Sequence, residues 1–209
     1  MTMKKMICAL LALAMLLCAS AMAQTVAPQN WFDPNDGTYP ATFDRAALKD
    51  GALHGVRLYT EDWYDIVDVS LMAEGDTFEA EGKTVTVESR GEDEFGRITI
   101  NGGFEEENGY TLTTEEDTNG FTTTGYDDAC TMTERGTLDL ALAENVTFTD
   151  SYDIDADAIL NGKQPLTATG IEAVTEAIMA SEHDGFDAYN TRVTIEDGKV
   201  VEINRRYVP

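Results

Sequence analysis

The stretch V-T-I-E-D-G-K-V-V-E-I, residues 193–203, carries the clearest structural signal in the chain. Val193 and Ile195 precede Asp197-Gly198, and Val201 and Ile203 follow it. Asp-Gly is a favoured filler of the type I′ turn, whose two central residues both need positive φ. Two runs of alternating polarity joined by such a pair spell an antiparallel hairpin. The same grammar recurs upstream. "EAEGKTV" (79–85) and "EDTNGFT" (116–122) each set a glycine where a tight turn asks for positive φ. Val85 and Val87 alternate with Thr84, Thr86 and Glu88, and Ile98 and Ile100 with Arg97, Thr99 and Asn101. Leu138, Leu140 and Leu142 share one parity, opposite Asp139 and Ala141. Each run reads as a half-buried strand. The phrases "EGKTVTVES" and "DGKVVEINR" look alike, but any two generic hairpins would, so no repeat is inferred.

One helix stands out, from about Gly170 to Ser181. Ile171, Val174 and Ile178 line one face, and Thr169 and Glu172 occupy capping-box positions. Shorter helical turns are expected after Asp44, ended by Gly51, and over about Asp65 to Met72. The expected fold class is therefore mostly antiparallel β (α+β), with short strands, hairpins and one packed helix in the C-terminal half.

The organisation reads as a signal peptide (1–23), an N-terminal lead (24–37) and a single β-rich domain (38–209). The lead ends in D-P-N-D-G, an Asx/Pro turn. A polar run from Thr113 to Arg135 divides the domain into units of about 38–125 and 136–209, or forms a sheet edge. Lys4 and Lys5, the apolar run Met6–Cys18 and the small residues of Ala21-Met22-Ala23 predict cleavage before Gln24 and export, with no membrane span afterwards. Leu17 speaks against lipidation of Cys18, because a small residue normally precedes a lipidated cysteine.

The formal net charge is −25. Removal of the leader takes away Lys4 and Lys5 and no acid, so the exported chain is more acidic still. Such a surface repels phosphate backbones and anionic head groups, which excludes nucleic acid and leaves cationic or carbohydrate partners.

Asp153, Asp155 and Asp157 raise the question of calcium. Counted from Asp153, an EF-hand loop would need Gly at the sixth position and Glu at the twelfth; the chain has Ala158 and Gln164. That loop is excluded. A strand with a wet outer face running into a loop explains the spacing, with Val146, Phe148, Tyr152 and Ile154 on the inner parity and Asp150 interrupting it. A looser calcium site built from the three aspartates is kept as an alternative, and no other cofactor is expected.

Cys130 follows Asp127-Asp128, and negative charge raises a thiol pKa, so a buried structural thiol is expected in place of a nucleophile. His54, His183 and Cys130 show no zinc spacing. His183, just past the helix, suits the negative end of its dipole. Glu105-Glu106-Glu107 and Glu115-Glu116-Asp117 read as solvated turns. Trp31, Tyr59, Trp63 and Tyr64 cluster early, and are candidates either for the core or for a sugar-binding surface. The leading functional reading is a secreted, non-catalytic binding or interaction protein. A carbohydrate- or peptide-directed hydrolase using paired carboxylates and a calcium-stabilised adhesion or envelope module are the alternatives.

Overall fold

The computed structural model describes residues 23–115, 120–125, 130–154, 158, 161–181 and 183–206. The chain opens with β1 (Thr25–Val26), β2 (Gly37–Thr42), a 3-10 turn (Arg45–Ala47), β3 (Leu48–Lys49) and β4 (Ala52–Glu61). It continues through β5 (Trp63–Asp65), α1 (Ile66–Leu71), β6 (Thr77–Ala80), β7 (Lys83–Thr86), β8 (Arg90–Glu92) and β9 (Ile98–Ile100). Then come β10 (Tyr110–Glu115), β11 (Gly120–Thr124), β12 (Met132–Ser151), β13 (Leu166–Thr169), α2 (Ile171–Ala180), β14 (Thr191–Glu196) and β15 (Lys199–Arg206).

Five of these strands close into a ring. β2 pairs with β4, β4 with β12, β14 with β15, and β14 with β2, all antiparallel, while β12 and β15 run parallel. In chain order the ring runs first, second, third, fifth, fourth and back to first. That is the Greek-key connectivity of a small OB-type barrel. The expectation of a mostly β fold holds, and that of mostly antiparallel pairing holds in part: the described strand pairs are antiparallel except β12–β15 and β1–β6, whose parallel pairing makes two of the sheets mixed.

Residues 62–131 form an insert between β4 and β12. β5, β11, β10, β9 and β8 make one five-stranded sheet, and β1, β6 and β7 a smaller one. Each region has its own apolar cluster. Leu53, Leu58, Leu142, Phe148, Val193 and Ile203 sit in the barrel's, joined by Val174 and Ile178 of α2. Tyr64, Val69, Phe78, Ile100, Leu112 and Phe121 of the insert form the other, with Val26 of β1.

Asp197 and Gly198 have φ of 50° and 73°, the paired positive values of a type I′ turn. The Gly198 amide donates to the Asn35 carbonyl (2.8 Å), seating this hairpin on the D-P-N-D-G turn. There the Asn35 amide donates to Asp33 Oδ1 (2.8 Å), an Asx turn. The hairpin at Glu81-Gly82 forms with the same pair of positive φ values.

Three local expectations are corrected. The Thr169–Glu172 capping box does not form, because Thr169 ends β13 and Gly170 itself, at φ 88°, starts the helix. Gly120 is not a turn glycine; it is the first residue of β11, paired with Glu115 and Asp65. Within the polar run from Thr113 to Arg135, the described residues of β10 and β11 belong to interior strands and not to an edge, with threonines bonded across the ladder as in Thr113 Oγ1 to Thr124 Oγ1 (2.5 Å), whereas Met132–Glu134 pair with β4 on one side only. The helix at Ile66–Leu71 forms as expected, capped by Asp65 Oδ1, which accepts from the Val67 amide at 2.7 Å.

Asp150 interrupts the inner parity of β12 for a reason on β15. Arg205, 1% exposed, pairs with it through two guanidinium nitrogens, Nε at 3.1 Å from Oδ1 and Nη2 on Oδ2. Nη1 donates to the His183 carbonyl (2.9 Å), Nη2 to Ser181 Oγ (2.5 Å), and the guanidinium lies 4.3 Å from the Phe186 ring centroid. One buried cation thus ties β12, β15 and the segment after α2 together. Among the described residues no helix is long and apolar enough to cross a membrane.

Three aspartates, Asp139 exposed and Asp76 and Asp93 half-buried, make stability sensitive to acid. Backbone amides of Ala73 and then Gln24 hold the Asp76 carboxyl below its ordinary range. The Gly55 amide does the same for Asp139, opposed by desolvation and helped by His54. At Asp93 desolvation pushes upward, but the Arg97 amide and side chain outweigh it. Groups with depressed folded pKa values contribute stability above the unfolded value, about 3.9. That contribution is lost as pH falls through the folded values. The urea midpoint is therefore expected to fall between about pH 4 and pH 2, and by less in the triple Asn variant of Asp76, Asp93 and Asp139.

Candidate functional site

A cleft of about 400 Å³ opens where the N-terminal lead crosses the barrel. Gln29, Asn30 and Trp31 of the lead line it with Thr38, Tyr39 and Pro40 of β2, Thr60 and Glu61 of β4, Trp63 of β5 and Arg192 of β14. It combines two indoles with amide, hydroxyl, carboxylate and guanidinium groups. Trp31 is 69% exposed. These are the only two tryptophans in the sequence.

Trp63 and Tyr64 are neighbours on a short strand, and successive strand residues point to opposite faces. Trp63 accordingly lines the cleft, whereas Tyr64 is fully buried in the insert's core, 4.8 Å from the Phe78 ring, with its hydroxyl donating to the Glu79 carbonyl (2.9 Å). Tyr64 is therefore a core residue and leaves the candidate set. Tyr59 is half-buried, pairs with Glu134 across the β4–β12 ladder, and does not line the cleft.

The seat of Trp63 is made by glycine. A Cβ on Gly120 would lie 2.3 Å from the indole Nε1 and 2.4 Å from Cε2, closer than any carbon can sit. The requirement is steric and not conformational: only a residue without a side chain lets the indole lie against β11 at this point.

Behind the cleft, the chain passes from barrel to insert through Asp62, which is fully buried. Its Oδ1 accepts from Asn30 Nδ2 (2.9 Å) and Thr133 Oγ1 (2.6 Å). Oδ2 accepts from the Glu81 amide (2.8 Å) and Thr131 Oγ1 (2.9 Å), and the Asp62 amide donates to the Thr131 carbonyl (3.0 Å). These donors are all neutral. They come from the lead, from the insert and from the strand that returns to the barrel, so one carboxylate fixes all three. Asn30 in turn accepts from the Trp63 amide (3.3 Å), and the Gln29 amide donates to the Trp63 carbonyl (2.7 Å). Burial first, and then the Asp62 charge, push the Tyr64 hydroxyl far above its ordinary pKa. It stays a phenol at any physiological pH.

Within the cleft, Glu61 accepts from Arg192 Nη2, while Arg192 Nη1 donates to the Ala188 carbonyl (2.7 Å). Both charged groups are thus held in place and mutually neutralised.

Asp153 lies apart from this site, exposed, 2.9 Å from His183 Nε2, with its carbonyl accepting from Lys163 Nζ (2.8 Å). Asp155 and Asp157 lie outside the described residues. Among the described residues no group of three or more His, Cys, Asp or Glu side chains is arranged to hold a metal ion. Cys130 is half-buried, not fully buried as expected.

Comparison with protein-family models, with curated proteins and with solved structures returns no match for the chain.

Proposed function

We propose that the protein is an extracytoplasmic, non-catalytic binding protein and that the cleft between Trp31 and Trp63 takes a neutral carbohydrate. The observation that carries this reading is the seating of Trp63 against Gly120, beside an exposed second indole and a neutralised Glu61–Arg192 pair. Sugars present apolar C–H faces that stack on aromatic rings, and hydroxyls that both donate and accept; this lining offers partners for each. Five-stranded barrels of this connectivity serve oligonucleotide and oligosaccharide ligands. Fold by itself does not choose between them. The net charge of −25 does, because it opposes any polyphosphate and any acidic sugar.

Paired-carboxylate hydrolysis asks for two carboxyl groups about 5–10 Å apart across the scissile bond. The described lining of the cleft contributes Glu61, already engaged by Arg192. Binding without turnover is the better fit.

Isothermal titration against a panel of neutral oligosaccharides tests the assignment. Trp31→Ala and Trp63→Ala are each expected to weaken the best binder about tenfold, the loss of one stacked face. Gly120→Ala should match Trp63→Ala, since the added methyl evicts the indole while leaving its chemistry intact. Wild-type affinity in all three variants would sink the site.

A further inference from the structure

The first strand places the backbone nitrogen of Gln24 against a carboxylate. Gln24 N lies 2.8 Å from Asp76 Oδ1, whose other oxygen accepts from the Ala73 amide (2.8 Å). The Gln24 side-chain amide reaches the Asp68 carbonyl at 3.4 Å, and the Gln24 carbonyl accepts from the Thr77 amide (2.8 Å). Next to it, Thr25 and Val26 pair in parallel with Thr77 and Phe78, and Val26 is fully buried. Both ends of Gln24 are therefore held by the insert.

Cleavage of the leader before Gln24 turns that nitrogen into an α-amino group. An N-terminal glutamine is chemically unstable. Its amine lone pair attacks the side-chain Cδ, an N–Cδ bond forms, the Cδ–amide bond breaks, and the amide nitrogen leaves as ammonia with a proton from the amine. The product, pyroglutamate, carries no charge. The reaction needs a deprotonated amine, and it needs Cδ to fold back onto it. A carboxylate in contact favours the protonated amine, and the Asp68 carbonyl draws the side chain the other way.

We propose that removal of the leader makes Gln24 a protected N-terminal residue, its ammonium paired with Asp76 and its amide held by the Asp68 carbonyl, so that the folded chain resists cyclisation. The proposal rests on cleavage at Ala23–Gln24 and is independent of the cleft. The same pair would anchor β1 to the insert, so maturation and docking of the first strand are one event.

The test is intact-mass spectrometry of the exported, purified chain, held at mildly alkaline pH and sampled over time, with N-terminal sequencing at the start. The expected chain begins with an unmodified Gln24. It should lose ammonia at least about tenfold more slowly when folded than when unfolded in urea. Asp76→Asn should accelerate the loss about fivefold, while Asp93→Asn, which removes another aspartate that accepts from turn amides, should leave it unchanged. If Asp76→Asn does not fold, the comparison of folded with unfolded wild type still decides. Equal rates in those two states, an Asp76→Asn rate equal to wild type, a chain already cyclised on export, or a first residue other than Gln24 would each overturn the proposal.

Discussion

Replacing Asp62 by alanine is expected to lower the unfolding free energy by about 4 kcal/mol. The carboxylate accepts four hydrogen bonds at 2.6–2.9 Å in a fully buried position. Alanine leaves the Glu81 amide, two threonine hydroxyls and the Asn30 amide facing a small void. A buried donor deprived of its partner costs about 1–3 kcal/mol. Partial rearrangement of the hydroxyls keeps the total below the sum of four such losses. Asp62→Asn keeps the volume but turns one oxygen into a donor aimed at donors, and should cost about 2 kcal/mol. Urea denaturation measures both. Because Asn30 is one of the four donors, a folded Asp62→Asn protein should also bind sugar more weakly than wild type, although residue 62 never touches the ligand. A stability loss under about 1 kcal/mol for Asp62→Ala would show that the network is ornamental.

The second large effect lies at the other buried charge. Arg205→Met is expected to cost about 3–5 kcal/mol, because the half-buried Asp150 loses its counter-charge and keeps only the Tyr152 amide as donor. The carbonyl of His183 and the hydroxyl of Ser181 lose a donor in the same step. Asp150→Leu alone should cost a similar amount by stranding the guanidinium among Phe186 and Tyr152. The double variant should be markedly less damaged than the sum of the singles, with a coupling of at least about 2 kcal/mol. Purely additive losses would mean that the two groups stabilise the barrel separately and that the pairing contributes nothing.

These two positions also explain how far the sequence could be read. Strands and turns were legible because period-two alternation and Asp-Gly pairs are local signals; the 193–203 hairpin formed as expected, except that a register shift after Thr194 sets Val200 in the core in place of Val201. Ring closure was not legible. Leu138–Leu142 and Val146–Phe148 look like separate strands, yet both belong to β12, whose first part pairs with β4 and whose second part runs parallel to β15. The hand-over falls at Ala141, which pairs with Ala52 on one side and Lys199 on the other, a register shift between Leu142 and Thr147 then interrupts the β15 ladder, and nothing in local periodicity names a partner so far along the chain. The insert was hidden for the same reason: its strands alternate like the barrel's own.

Reading the acids required knowing which parity faces inward. In β4 and its continuation, Val56, Leu58, Thr60, Asp62 and Tyr64 are successive buried positions. Asp62 stands in that row as Asp150 stands in the inner row of β12. An aspartate at a buried parity must be satisfied by the fold. The triplet at 153–157, which draws the eye by its spacing, begins at an exposed position engaged by His183. The aromatic cluster was half legible. Trp31, Tyr59, Trp63 and Tyr64 stand out together in the sequence, but a three-residue strand sends Trp63 to the cleft and Tyr64 to the core, and only the strand's placement tells them apart. The glycine that seats Trp63 was read as a turn residue, because steric need and conformational need leave the same letter in the sequence.

The most direct measurement exploits the fact that both tryptophans of the chain line the cleft. Their emission is to be followed while the purified protein is titrated with neutral and with acidic oligosaccharides, with acrylamide quenching measured at each end point. A saturable blue shift and reduced quenching with at least one neutral sugar, absent with the acidic ones and lost in Gly120→Ala, is the predicted result. Emission and quenching unchanged by every sugar, or changed identically in Gly120→Ala, would contradict the assignment of the cleft.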